Sequence, residues 1–150
     1  MMERPTRRGA IVLGAGAALG LTVRPTGATP ERRAEAIRAF AGEAEIKAGR
    51  VRLDLPPLVE NGNSAPLTVA VDSPMTESDF VRRIAIFNER NPEPNVLTVQ
   101  LGPSAGRALV TTRIRLATSQ RITAVAEMGD GTYWQDGADV IVTLAACVES

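Results

Sequence analysis

The stretch Leu67-Thr68-Val69-Ala70-Val71 decides the fold class, because large apolar side chains alternate along it with smaller or polar ones. Alternation with a period of two is typical of a strand with one buried face. The run ends at Asp72-Ser73-Pro74, which is rich in turn-forming residues. The segment therefore predicts a half-buried β-strand followed by a turn.

The same alternation recurs from Arg50 to the end of the chain. Clusters of Gly, Pro, Asn and Asp separate the apolar runs, as expected for strands joined by short turns. About seven short strands within roughly 100 residues predict an all-β sandwich. The other predicted strands contain Val51/Leu53/Leu55, Leu97/Val99/Leu101 and Ile122/Ala124/Ala126, together with the runs at 81–87, 109–116 and 140–144.

One helix is predicted before the strands. Thr29-Pro30-Glu31 supplies an N-cap hydroxyl, a proline at the first helical position and an acidic side chain in the first turn. Gly42 is expected to end the helix. The apolar residues that recur at helical spacing are Ala34, Ile37, Phe40 and Ala41.

Residues 1–28 are predicted to be a twin-arginine signal peptide. Arg7-Arg8 precede an uncharged run, and the small residues Thr26-Gly27-Ala28 form a cleavage-like site. The uncharged run covers residues 9–23, which is shorter than the about 20 apolar residues that span a bilayer. We expect export to the periplasm, cleavage after Ala28 and no membrane attachment afterwards. The glycines of Gly14-Ala15-Gly16 lie within this signal and follow no strand, so they do not form a nucleotide loop.

The composition excludes several classes of function. The 17 Lys+Arg residues balance the 17 Asp+Glu residues, whereas nucleic-acid-binding proteins usually carry a basic stripe. The chain has no histidine, and therefore lacks the imidazole of Ser-His and Cys-His pairs and the commonest zinc ligand. We expect no nucleic-acid binding, no metal and no cofactor.

Two sets of charged residues are candidates for a catalytic or ion-binding site, and each also has a purely structural interpretation. Asp72, Glu77 and Asp79 flank Pro74-Met75, where carboxylates serve acid–base catalysis, bind a cation or form a solvated turn. Arg82-Arg83 and Arg113/Arg115 bind an oxyanion or lie on exposed strand faces.

A third candidate is the aromatic pair Tyr133-Trp134, which lies in a hairpin rich in Gly and Asp. Aromatic side chains at such a position form a docking patch for another protein, or pack against the core at the turn. The sequence favours neither interpretation.

Cys147 is the only cysteine of the chain and lies close to the carboxyl terminus. A terminal tail rarely packs tightly. Four extended residues beyond Thr143 reach on the order of 13 Å, enough to enter the active-site channel of another protein. Three interpretations stay open for this thiol: a reactive carrier, a disulfide with a partner chain, or an inert buried group.

Six segments carry a resemblance to a known family: residues 46–57, Glu60-Asn61-Gly62-Asn63, residues 69–75, Asn91-Pro92, residues 112–117 and Val142-Thr143. Together they resemble the SoxY family, the sulfur-carrier subunits of the periplasmic thiosulfate-oxidising system. The resemblance implies an immunoglobulin-like sandwich over residues 29–142 and a flexible arm over residues 143–150. It also implies a heterodimer with a SoxZ-like subunit, in which Cys147 carries sulfur intermediates between the sulfur-oxidation enzymes of the periplasm and the chain itself is no enzyme.

The arm itself departs from the usual SoxY pattern. SoxY proteins end in Gly-Gly-Cys-Gly-Gly, whereas this chain has Ala145-Ala146-Cys147-Val148-Glu149, which is similar to a SoxY-related subgroup with an Ala-Ala-Cys-Ile-Glu arm. Replacing glycine by alanine and β-branched valine makes an arm stiffer and bulkier. The carboxylate of Glu149 disfavours the thiolate and repels anionic adducts.

Overall fold

Two β-sheets and one helix make up residues 29–146, the part of the chain that this computed structural model describes. The first sheet has the strand order β1-β9-β8-β5-β6, and β3 also pairs with β9; the second sheet has the order β2-β4-β7. The elements are α1 (Pro30–Ala41), β1 (Ile46–Ala48), β2 (Val51–Asp54), β3 (Leu58–Asn61), β4 (Ala65–Val71), β5 (Val81–Asn88), β6 (Asn95–Gln100), β7 (Leu109–Ile114), β8 (Gln120–Met128) and β9 (Tyr133–Leu144).

Helix α1 begins and ends where its capping residues predict. The Thr29 hydroxyl accepts a hydrogen bond from the Arg32 N–H, and Gly42 adopts φ 63° while its N–H donates to the Arg38 carbonyl. A positive φ favours glycine at this position. No helix in residues 29–146 has the length and apolar character needed to cross a membrane.

The main core lies between the two sheets and consists of alternate side chains from both. This arrangement confirms the all-β, immunoglobulin-like sandwich and explains the period of two along the strands. The buried side chains include Val51, Leu53, Leu67, Val69 and Val71 from the second sheet, and Ile84, Ile86, Ile122, Ala124 and Ala126 from the first.

A smaller core lies on the outer face of the first sheet, beneath α1. Ala85, Phe87 and Val125 are fully buried there. The Phe40 ring of α1 packs edge-on against Phe87 and against Tyr133, with both pairs of ring centroids 5.9 Å apart. The first sheet is therefore covered on both faces, by the second sheet and by the helix.

The structure has nine strands in its described residues rather than about seven. Strands β1 and β3 bury only one residue between them, Val59, so they lack the alternation that marks the equally short β2. Strand β9 begins at Tyr133 instead of Val140, because its first half pairs with β8 although it contains Asp136, Gly137 and Asp139, which interrupt the apolar pattern.

The boundary expected for the carboxy-terminal arm also differs from the structure. Thr143 and Leu144 belong to β9, and Leu144 pairs with Asn61 of β3. The sheet therefore extends two residues into the segment that was expected to be arm. Cys147, Val148 and Glu149 lie outside the described residues, as does the predicted signal peptide.

Replacing Phe40 by alanine should destabilise the domain by about 2 kcal/mol, because the helix loses its ring contacts with the sheet. The free energy of unfolding in urea measures this effect. Glu35→Ala, on the exposed part of the same helix, is the matched control and should leave stability nearly unchanged. Equal effects of the two substitutions would show that α1 is not held by Phe40.

Candidate functional site

The two alanines before Cys147 differ in their surroundings. Ala145 is exposed, whereas Ala146 is 6% exposed and therefore buried. The segment that leads to the cysteine thus leaves β9, passes one exposed residue and returns to the surface of the domain.

Two backbone hydrogen bonds hold this segment against two other parts of the chain, and a third joins those two parts to each other. The Gly62 N–H donates to the Leu144 carbonyl at 2.8 Å, the Leu116 N–H to the Gly62 carbonyl at 2.7 Å, and the Ala146 N–H to the Leu116 carbonyl at 3.1 Å. We call Gly62, Leu116 and the segment 144–146 the arm root. It joins the turn after β3, the residues after β7 and the end of β9.

Gly62 is the residue of the arm root that leaves no room for a side chain. A Cβ atom there would lie 2.5 Å from the Leu116 carbonyl oxygen and 3.0 Å from the Ala146 nitrogen. The requirement for glycine is therefore one of space. The sequence predicts a turn at Glu60-Asn61-Gly62-Asn63, but it does not predict that Gly62 lies against the backbone of Leu116 and Ala146. A glycine between two apolar runs is the signal that points to such close backbone contact.

The surface beside the arm root is apolar. Leu58, Ile141 and Leu144 are 53%, 60% and 62% exposed, and Leu58 pairs with Ile141 between β3 and β9. We call the register pair Leu58 and Ile141 the apolar strip; Leu144 lies three positions further along β9 and therefore on the other face of the strand. Exposed clusters of large apolar side chains are typical of protein-contact surfaces.

The loop carboxylates are used in local structure. Asp79 accepts two hydrogen bonds of 2.9 Å from the Arg50 guanidinium, and the same guanidinium donates to the Asp72 carbonyl at 2.9 Å. Asp79 is therefore a member of an ion pair, and Glu77 is exposed. Within residues 29–146, no three His, Cys, Asp or Glu side chains come together as a metal site.

The paired arginines of β5 are likewise engaged with a carboxylate. Arg83 donates to Glu127, which is 6% exposed, and Arg82 lies 3.5 Å from the same side chain. The hydrogen bond that Arg83 donates to Glu127 is the main cause that raises the pKa of Arg83. The Arg83 guanidinium also lies 4.4 Å from the centroid of the Phe40 ring. These residues anchor α1 to the sheet, an arrangement that favours the structural interpretation over an oxyanion site.

The other two candidate groups also have local partners. Arg113 donates to the carbonyl and hydroxyl of Ser64, while Arg115 is exposed. Tyr133 packs on Phe40, and the partly buried Trp134 packs against the main core. For the aromatic pair, the structure therefore favours packing over a docking patch.

Comparison with known protein families shows which family this chain belongs to. The sequence model of the family described as "Sulfur oxidation protein SoxY" matches residues 37–147. The chain belongs to the SoxY family. The SoxY match includes the arm root and ends at the position of Cys147.

Solved structures agree with this assignment. The sulfur carrier protein SoxY from Chlorobium limicola f thiosulfatophilum is similar with a TM-score of 0.64 and 27% identity, over 76% of this chain and 98% of that chain. A superoxide reductase (neelaredoxin) from Ignicoccus hospitalis has a TM-score of 0.55 and 20% identity, over 76% and 92%. A putative superoxide reductase from Thermotoga maritima has a TM-score of 0.53 and 20% identity, over 65% of this chain and 87% of that chain. The two reductases share the fold alone. No curated protein matches the sequence.

Glu127→Gln should lower the free energy of unfolding by about 2 kcal/mol or more, because Arg83 loses its buried counter-charge. Urea denaturation measures the loss. Glu77→Gln replaces an exposed carboxylate and should have almost no effect. A change at Glu127 as small as that at Glu77 would contradict an anchoring role for this ion pair.

Proposed function

We propose that this chain is an exported carrier that holds a sulfur-containing group covalently on Cys147 and presents it to partner enzymes. The observation that carries the proposal is the SoxY family match, which extends to the position of the chain's only cysteine. The similar structure from Chlorobium limicola is that of a sulfur carrier protein.

The sulfur-containing group would be attached to Cys147 by thiol oxidation. Joining the Cys147 thiolate to the outer sulfur of thiosulfate forms one S–S bond and releases two electrons, which a redox partner enzyme must accept. The thiolate, rather than the thiol, is the attacking species. The carrier therefore supplies the attachment point, and its partner supplies the electron acceptor.

The distribution of charged residues supports a carrier rather than an enzyme. Asp79 pairs with Arg50, and Glu127 with Arg82 and Arg83. These groups stabilise the domain, and the histidine that activates most cysteine or serine nucleophiles is absent from the sequence. The partner enzymes provide the catalytic groups in this proposal.

We also propose a heterodimer with a SoxZ-like subunit. The apolar strip supports an interface, because Leu58 and Ile141 are neighbours on adjacent strands and both are more than half exposed. Burying such side chains at an interface is favourable by roughly 25 cal/mol per Å² of apolar surface. The partner would then contact the end of β9, the strand that leads to the carboxy-terminal segment.

Mass spectrometry of the protein isolated from cells that oxidise reduced sulfur compounds should find sulfur adducts on Cys147. Cys147→Ser should lose every adduct, because the chain has no second cysteine. The substitution should also abolish the contribution of this protein to sulfur oxidation, since serine forms no persulfide or thiosulfonate.

Two results would contradict the carrier proposal. One is an unmodified thiol under every growth condition together with full function of Cys147→Ser. The other is a permanent cross-linked band on non-reducing electrophoresis, which supports the alternative that Cys147 forms a disulfide with a partner in a structural module.

The proposed site of action is the periplasm, reached by the twin-arginine route. The support is Arg7-Arg8 followed by an uncharged run and the small residues at 26–28. Export of this kind carries proteins that fold before they cross, which fits a carrier that travels bound to its partner subunit.

Replacing Arg7 and Arg8 by lysine should retain the protein in the cytoplasm at precursor size, because the translocase reads the arginine pair. Cell fractionation and immunoblotting measure the distribution. The matched control replaces Arg4 and Arg24 by lysine, keeps the same charge and should be exported. Equal export of both double variants would exclude the twin-arginine route.

A further inference from the structure

We propose that two copies of this chain associate through strand β6, which pairs antiparallel with β6 of the second copy and joins the two first sheets into one. Strand β6 lies at one end of the first sheet, and among the described strands it pairs with β5 alone. An edge strand exposes a row of unpaired backbone N–H and C=O groups, which another extended strand can bind. The inference goes beyond the proposed function and does not depend on it.

The other edge strands of the two sheets have features that oppose such pairing. The Leu53 N–H of β2 is bound by the Asp136 carboxylate at 2.8 Å, and β1 has only three residues, one of them Lys47. Strand β3 contains Glu60, and β7 contains Arg113. Charged side chains, short strands and occupied backbone groups are the usual means of protecting an edge. Strand β6 contains no charged residue and no proline.

The hydrogen bonding between β5 and β6 shows which backbone groups of β6 are free. The Leu101 N–H donates to the Arg82 carbonyl at 2.8 Å, so the backbone groups of Leu101 point toward β5. These groups point to alternate sides along a strand. Val99 therefore also points toward β5, whereas Thr98 and Gln100 point away from it. Both of these polar residues are exposed, and their N–H and C=O groups form the free edge.

One antiparallel register pairs these free groups under two-fold symmetry. With Val99 on the axis, opposite Val99 of the second copy, Thr98 of each copy lies opposite Gln100 of the other. Each such pair exchanges both of its N–H···O=C hydrogen bonds. The same register places Leu97 opposite Leu101 of the second copy. Apolar side chains then meet apolar ones, and polar side chains meet polar ones, as an isologous interface requires.

The apolar side chains at this edge are only partly covered within one copy. Leu97 and Leu101 pack against the main core, and Val99 shares their face of the strand. All three are half-buried. In the dimer each Val99 covers the other, and each Leu97 covers Leu101 of the second copy. The second copy therefore extends the core at the end where the first sheet is open.

The charges at the two ends of β6 favour the antiparallel direction. The connection before β6, residues 89–94, has two acidic residues and one basic residue, whereas the connection after it, residues 101–108, has Arg107 as its charged residue. Antiparallel pairing brings the net acidic connection of one copy to the same end as the basic connection of the other. Such complementarity fixes the direction of an interface, whereas parallel pairing would bring like charges together.

This interface leaves the apolar strip uncovered. Strand β6 lies at one end of the strand order of the first sheet, and β9 lies toward the other end. Pairing through β6 therefore does not compete with the surface proposed for the SoxZ-like subunit.

Sedimentation equilibrium of the full chain should show a dimer whose fraction rises with concentration, because one strand pair is at the low end of interface sizes. A reducing agent in the buffer prevents disulfides between copies. Thr98→Pro removes an N–H that pairs across the interface but none that binds β5. We expect this substitution to raise the dissociation constant of the dimer at least tenfold.

Thr111→Pro is the matched control, on the edge strand β7 of the second sheet. The Val71 N–H donates to the Ala108 carbonyl at 2.9 Å, so by the same alternation the Thr111 N–H points away from β4. Thr111 is exposed, as Thr98 is. This variant should dimerise as the wild type does.

Disulfide trapping tests the register without proline. In a Cys147→Ser chain, Val99→Cys places two thiols across the axis, where the Cα atoms of a non-hydrogen-bonded pair lie about 4.5 Å apart, within the range that a disulfide spans. Thr98→Cys is the matched control, because Thr98 lies opposite Gln100 and not opposite itself. Mild oxidation should join the copies of the Val99→Cys chain and leave those of Thr98→Cys separate.

Three results would overturn the inference: a wild-type chain that stays monomeric at every concentration, equal dissociation constants for Thr98→Pro and Thr111→Pro, or equal trapping of Val99→Cys and Thr98→Cys. If circular dichroism shows that Thr98→Pro is unfolded, the trapping experiment decides. The carrier proposal fails on a different observation, the absence of sulfur adducts, so the two failures are distinguishable.

Discussion

Burial of the β5–β8 pair on both faces is the constraint on which the rest of this structure depends. In β5, Ile84 and Ile86 face the second sheet, while Ala85 and Phe87 face α1. A strand covered on both sides needs a near-continuous apolar run, and β5 has one over residues 84–87. The second sheet, the helix and β9 all take their positions from this pair.

Strand β9 connects that central pair to the candidate site. Residues of β9 up to Val140 pair with β8, and the residues from Ile141 onward pair with β3. The end of β9 therefore projects to the rim of the sandwich, where Ile141 and Leu144 stay exposed. Most of the charged groups that the sequence singles out are engaged elsewhere in ion pairs and hydrogen bonds. The carrier role proposed above therefore depends on Cys147 rather than on these charged groups.

The parts of the fold that the sequence predicts are those with a local cause. The helix follows from Thr29, Pro30 and Gly42, whose capping roles need only neighbouring residues. The long strands follow from alternation, as in β4. Strands β1 and β3 could not be predicted, because they bury only Val59 between them and so lack the alternation seen in β2, and the polar start of β9 obscured its pairing. The closeness of Gly62 to Leu116 and Ala146 was also beyond prediction, since these residues are far apart in the sequence.

By itself, the sequence determined the sandwich, the bounds of the helix and the presence of one thiol near the end of the chain, because alternation, capping and composition are properties of neighbouring residues. Tertiary structure alone decided which carboxylates pair with which arginines, and that hydrogen bonds hold the chain as far as Ala146. Those outcomes depend on contacts between distant segments, in which a difference of one methyl group at Gly62 determines whether the backbones can meet.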